Sequence, residues 1–66
     1  MTVAELLDKM QQAYSLFTPK IAEVWLPIYL AALKDREGPA LAKAYSVVMQ
    51  EFDPSPRKAY PSPKDF

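Results

Sequence analysis

The side chains best suited to chemistry in this chain lie near its carboxyl end. Arg57, Lys58 and Lys64 bring positive charge there, the ring of Tyr60 lies among them, and Asp65 is the adjacent negative charge. Cations interleaved with an aromatic ring are typical of a weak contact with an acidic protein partner or with nucleic acid. A solvated loop that binds nothing is the competing interpretation of the same residues.

Little else in the chain predicts catalysis. The 66 residues include no cysteine and no histidine, which excludes disulfides, thiolate chemistry and the commonest general base and metal ligand. The carboxylates of Glu5, Asp8, Glu23 and Glu51 have no shared spacing, so they predict no metal site. We therefore expect a protein that is not an enzyme, with no catalytic residue, no cofactor and no metal.

The charge balance and the hydropathy pattern narrow the class of partner. Eight basic and eight acidic residues give a formal net charge of zero, which argues against direct nucleic-acid binding through phosphate neutralisation. No apolar run approaches the roughly 20 residues of a membrane span, and the amino end lacks the basic and apolar regions of a signal peptide. We expect a cytoplasmic protein with no membrane contact.

Proline marks the elements that must position these groups. Three of the seven prolines follow a capping residue, in Thr18-Pro19, Gly38-Pro39 and Ser62-Pro63, and proline is well suited to the first helical position. The pattern predicts an all-α domain that occupies residues 1–66. Its predicted elements are helices at about 3–16, 19–34 and 39–52, a proline-rich loop and a C-terminal helical turn. A chain that stops in a helical turn suggests the N-terminal part of a longer protein.

The first predicted helix has a start signal and a single apolar face. Thr2 and Glu5 have the spacing of a capping box. The apolar positions recur at helical spacing, and they are Val3, Leu6, Leu7, Met10, Tyr14 and Phe17.

The second predicted helix has a wider apolar stripe, which indicates a central position in the fold. The stripe consists of Ile21, Val24, Trp25, Ile28, Tyr29, Ala32 and Leu33. Pro27 interrupts it, so the segment is either one helix kinked near Glu23 or two short helices; the unbroken periodicity favours one kinked helix. Core packing is favoured for Trp25 over a role as a binding hot spot.

The third predicted helix follows a charged turn. Gly38 is expected to adopt a left-handed conformation before Pro39. The apolar face of the helix carries Leu41, Ala44, Tyr45, Val48 and Phe52. The loop from residue 53 to residue 61 is predicted to be extended and partly polyproline in conformation, held to the bundle by Tyr60.

A core of three short helices cannot bury every apolar side chain of this sequence. We therefore predict a partner-binding or dimer-forming patch around Leu30, Val47 and Met49. With Arg57, Lys58, Tyr60 and Lys64, these residues make up the predicted partner-binding set.

The order of these elements resembles the N-terminal domain of bacteriophage replicative-helicase loader and inhibitor proteins. The resemblance covers nearly the whole chain, although Pro27 and residues 53–59 depart from the family pattern. The matching elements are Leu6-Leu7-Met10, Tyr14-Ser15-Leu16-Phe17, Trp25 with Leu33 and Asp35, Leu41 with Ala44 and Val48, and Tyr60-Pro61-Ser62-Pro63 with Phe66.

The resemblance implies a non-enzymatic adaptor of replication initiation in the cytoplasm of a bacterial host. Its partners would be the hexameric replicative helicase and an origin-bound initiator. In that family a flexible C-terminal tail meets the helicase, so this chain would be the folded half that meets the initiator. Two alternatives stay open: a small DNA-binding helical domain, for which the third helix offers only Lys43, and an adaptor subunit of phage packaging or tail assembly.

Overall fold

The computed structural model describes all residues from 1 to 66 and contains helices but no strand. The prediction of a small all-α bundle is confirmed. The α-helices are α1 (Val3–Ala13), α2 (Pro19–Leu33) and α3 (Pro39–Glu51), and short 3₁₀ helices cover Lys34–Arg36 and Pro63–Asp65.

Helix α1 begins with the predicted capping box. The Glu5 backbone N–H donates to Thr2 Oγ1 at 3.1 Å, and the Thr2 N–H donates to Glu5 Oε1 at 3.2 Å. This backbone hydrogen bond from Thr2 is the main reason that the pKa of Glu5 is lowered.

A second cap on α1 comes from a distant part of the chain. The carboxylate of Glu37 accepts a hydrogen bond from the Val3 N–H at 2.7 Å. Beside it, the Gly38 N–H donates to the Met1 carbonyl at 2.7 Å, and the Met1 amino group donates to the Gly38 carbonyl at 3.2 Å. The start of α1 is thereby joined to the connection between α2 and α3.

Gly38 has φ +101° and ψ −146°. The positive φ agrees with the prediction, but this ψ lies outside the predicted left-handed helical region. The combination is one that only glycine adopts readily.

Helix α1 ends at Ala13, earlier than the predicted residue 16. Tyr14 leaves the helix with an extended backbone, and the Phe17 N–H donates to the Tyr14 carbonyl at 3.0 Å to close a turn. Thr18 is also extended, as expected for a residue that precedes proline. The turn reverses the chain before α2. The turn buries Tyr14 and Phe17 and leaves Leu16 exposed at its tip.

Helix α2 is one continuous α-helix with Pro27 inside it, so the interpretation as two separate helices is wrong. Its predicted apolar stripe needs correction. Tyr29 and Leu33 are buried, but Val24 is 65% exposed and Ile28 is 48% exposed. The predicted stripe extends over about half of the helix circumference. The rest of the protein covers only the side of α2 that carries Ala22, Tyr29 and Leu33, so the other part of the stripe is exposed.

The core draws on all three α-helices, on the turn between α1 and α2 and on the last residue of the chain. It consists of Val3, Leu6, Leu7, Met10, Tyr14, Phe17, Ala22, Tyr29, Leu33, Leu41, Val48 and Phe66. Trp25, Tyr60 and Phe52 pack against this core and are only partly buried. Trp25 therefore packs against the core as predicted, but it lies at the edge and keeps part of its side chain exposed.

The segment after α3 folds back onto α2. The Tyr29 hydroxyl, at the centre of the core, donates to the Pro61 carbonyl at 2.5 Å. The predicted C-terminal turn is present as the 3₁₀ helix Pro63–Asp65, where the Asp65 carboxylate accepts from the Ser62 N–H at 2.7 Å. These contacts hold Phe66 in the core.

The proline-rich segment is not extended throughout, contrary to the prediction. The Lys58 N–H donates to the Ser55 carbonyl at 3.1 Å, and the Ser55 N–H donates to the Lys58 carbonyl at 2.9 Å. Serine and proline are favoured at the first two positions of such a turn. Pro56 and Arg57 are therefore presented at its tip.

Candidate functional site

A groove of about 310 Å³ opens between α2 and the segment that follows α3. We call it the aromatic groove. Its lining residues are Trp25, Pro56, Arg57, Lys58, Ala59, Tyr60 and Ser62. Trp25 reaches it from the middle of α2, and the turn at Ser55–Lys58 supplies the opposite wall.

Two rings meet nearly at right angles in this groove. The centroids of Trp25 and Tyr60 are 6.5 Å apart with an interplanar angle of 84°, and Trp25 Nε1 donates to the Tyr60 hydroxyl oxygen at 3.2 Å. Tyr60 also packs edge-on against Phe17 at 4.8 Å, and Trp25 packs against Tyr29 at 5.7 Å. The core thus supports both rings from behind, while each keeps part of its surface in solvent.

The cationic rim of the groove contains one paired and one unpaired charge. Lys58 Nζ lies 2.8 Å from Asp65 Oδ2 and 5.8 Å from the centroid of the Phe52 ring. The hydrogen bond from Lys58 is the main cause of the lowered pKa of Asp65. Arg57 is exposed at the tip of the turn and has no ion-pair partner.

The structure brings together three of the residues predicted near the carboxyl end, since Arg57, Lys58 and Tyr60 all line the groove. Lys64 is exposed on the 3₁₀ helix Pro63–Asp65 and does not line it. That these residues bind a partner stays a prediction.

An exposed apolar strip on α2 borders the groove. It consists of Val24, Pro27, Ile28 and Ala31, which recur at helical spacing and are all exposed. Ile28 follows Trp25 by three residues, which places it about 60° from Trp25 around the helix. The apolar surface therefore continues from the groove along α2.

Sequence reasoning missed this strip because it assigned Val24 and Ile28 to the core. A signal was available in the sequence: a stripe that covers about half of a helix is wider than the stripe of a helix that packs on one side.

The patch predicted around Leu30, Val47 and Met49 stays a prediction, and its two residues on α3 face different directions. All three side chains are exposed. Val47 and Met49 are two residues apart on α3, however, so they project about 160° from each other around the helix. Met49 accepts a hydrogen bond at its sulfur from the Tyr14 hydroxyl at 3.3 Å. Val47 instead lines a separate depression of about 270 Å³ beside Asp65.

The chain has no recognisable relative among known proteins. No protein-family model matches the chain, and neither a curated protein nor a solved structure has significant similarity to it. None of its helices is both long enough and apolar enough to cross a membrane. No cluster of three or more acidic side chains has a geometry that could hold a metal ion.

Proposed function

We propose that this chain is a non-enzymatic protein-interaction adaptor, and that it acts in phage replication initiation between an initiator and the replicative helicase. The observation that supports an adaptor is the apolar strip on α2, continuous with the aromatic groove. Twelve other apolar side chains form the core, and Val24 and Ile28 are exposed outside it. Contiguous exposed apolar surface on a small protein is typical of a protein-binding site.

The composition of the surface also favours a protein partner. Tryptophan, tyrosine and arginine are the residues most enriched at binding hot spots, and Trp25, Tyr60 and Arg57 line one groove. The replication context comes from the resemblance to helicase loaders and inhibitors and depends on it alone.

The test is direct binding between purified components. The chain is mixed with the origin-binding initiator of the same phage and, separately, with the host replicative helicase, and each mixture is measured by isothermal titration calorimetry. We expect binding to the initiator, because in the resembling family the helicase is met by a tail. Binding to neither protein would refute the assignment to replication.

A matched pair of variants places the contact. The double variant V24N/I28N replaces the two largest side chains of the apolar strip, and the control L16N replaces another exposed apolar side chain on the α1–α2 turn. We expect the double variant to weaken binding about tenfold or more and the control to leave the Kd unchanged. An equal effect of the two would show that the strip is not the interface.

A further inference from the structure

We propose that the aromatic groove binds an acidic peptide segment that also carries a proline or aromatic side chain. The flat apolar side chain would lie in the corner between Trp25 and Tyr60, and a carboxylate of the segment would pair with Arg57. This inference deepens the proposed function, on which it rests, by naming the chemistry of the partner.

The charge of the groove selects an acidic ligand. No acidic side chain lines it, and Arg57 lacks an ion-pair partner. Lys58 is engaged with Asp65, but that ion pair is partly exposed to solvent, with the lysine side chain 47% accessible and the aspartate side chain 29% accessible. Exposed ion pairs contribute little free energy. Lys58 can therefore exchange Asp65 for a carboxylate of the ligand at small cost.

The shape and polarity of the corner select a flat apolar group. The Trp25 N–H is already bonded to Tyr60, so the indole wall offers only its apolar surface. The hydrogen of the Tyr60 hydroxyl has no acceptor in the structure, so it can donate to a backbone carbonyl of the ligand. Grooves lined by aromatic rings with a nearby donor are typical of recognition of extended, proline-containing peptides.

The same features favour a peptide over a nucleic acid. Nucleic-acid affinity comes largely from several phosphate contacts with lysine and arginine, whereas this groove has only two cations, Arg57 and Lys58, and the chain has no net charge. The surface that continues from the groove is the apolar strip with Val24 and Ile28, which matches apolar side chains of a protein segment and has no phosphate-binding group.

The experiment is a selection from a random-peptide display library on the immobilised full chain. Selected peptides are then synthesised and titrated while the fluorescence of Trp25, the only tryptophan, is recorded. The variant R57E reverses the charge of the groove. The control K43E makes the same charge change on α3, outside the groove. Circular dichroism of both variants checks that they fold, and R57A provides a milder second variant.

We expect enrichment of sequences in which aspartate or glutamate stands near a proline or aromatic residue. We also expect R57E to weaken their binding about tenfold or more and K43E to leave it unchanged. The inference is overturned if no sequence is enriched, if neutral or basic peptides are enriched, or if R57E and R57A bind as the original chain does. Tighter binding of a single-stranded oligonucleotide, measured by the same fluorescence, would also overturn it in favour of nucleic acid.

The two proposals fail separately. Enrichment of acidic peptides without binding to initiator or helicase would keep the groove and remove the replication assignment. Initiator binding that survives R57E, with no enriched peptide, would keep the adaptor and remove the groove as its peptide site.

Discussion

Replacing Tyr29 by phenylalanine would remove a single oxygen atom from the centre of the core. The ring makes no contact with solvent and packs against Phe17, Trp25 and Phe66, and phenylalanine keeps these contacts. The loss is therefore confined to the 2.5 Å hydrogen bond to the Pro61 carbonyl. Pro61 is itself buried, so its carbonyl oxygen would be left without a partner.

The expected cost follows from that unsatisfied carbonyl. A buried acceptor that loses its partner costs about 1–3 kcal/mol. In a domain of this size each kcal/mol lowers the Tm by about 4–8 °C. The total free energy of unfolding of so small a domain is only about 3–10 kcal/mol. Y29F therefore removes a large part of the stability without creating a cavity.

The assay is urea unfolding followed by two probes. Far-UV circular dichroism reports the helices, and Trp25 fluorescence reports the contact with Tyr60, which adjoins Pro61 in the chain. Y45F is the matched control, because Tyr45 is half-buried and its hydroxyl makes no hydrogen bond in the structure. We expect the control to change the free energy of unfolding by less than about 0.5 kcal/mol. Equal losses for Y29F and Y45F would refute the reasoning.

Alkaline pH provides an independent check on the same residue. Burial is the main cause that raises the pKa of Tyr29 above its usual value of 10.0. Since the unfolded chain releases this proton first, the folded state loses stability as the pH rises above 10. Y29F should unfold with a weaker dependence on pH in that range. An unchanged dependence would mean that the Tyr29 hydroxyl is accessible.

Three further perturbations test other parts of the account. E37Q should lower the free energy of unfolding by about 1 kcal/mol in urea, because it weakens the distant cap on α1, whereas D35N, on the exposed 3₁₀ helix beside it, should have little effect. The pKa of Asp65 lies below its usual 3.8, so the contribution of its carboxylate to folding stability should be present above pH 4 and be lost at lower pH. Acid titration followed by Trp25 fluorescence should show this loss in the original chain and not in D65N. V24S should change stability by less than about 0.5 kcal/mol, whereas L41A should cost about 2–5 kcal/mol, and a large loss in V24S would place that side chain in the core.

The local elements could be predicted because their signals act within a few residues. The capping box at Thr2 and Glu5, and the prolines at the start of α2 and α3, bond or restrict only their own neighbours. Such short-range preferences do not depend on how the helices pack. The end of α1 was harder to predict, because the backbone at Tyr14 is set by two conditions together: burial of its ring and reversal of the chain before Pro19.

The candidate site could be predicted only in part. Arg57, Lys58 and Tyr60 were recognised as a group because they are adjacent in the chain. Trp25 was assigned to the core, since helical periodicity cannot distinguish a side chain inside the core from one at its edge. The same ambiguity leads to the prediction that Val24 lies in the core. In the structure Val24 is instead the most exposed large apolar residue.

The helical class, the helix starts and the lack of histidine and cysteine chemistry follow from composition and from short-range backbone preferences. The packing of the helices sets which apolar side chains are exposed and which distant groups meet. Trp25 and Tyr60 are 35 residues apart, and Val3 and Glu37 are 34 apart. No local preference encodes such pairs. They form when three short helices share one small core, which covers one side of α2 and leaves the other side to solvent.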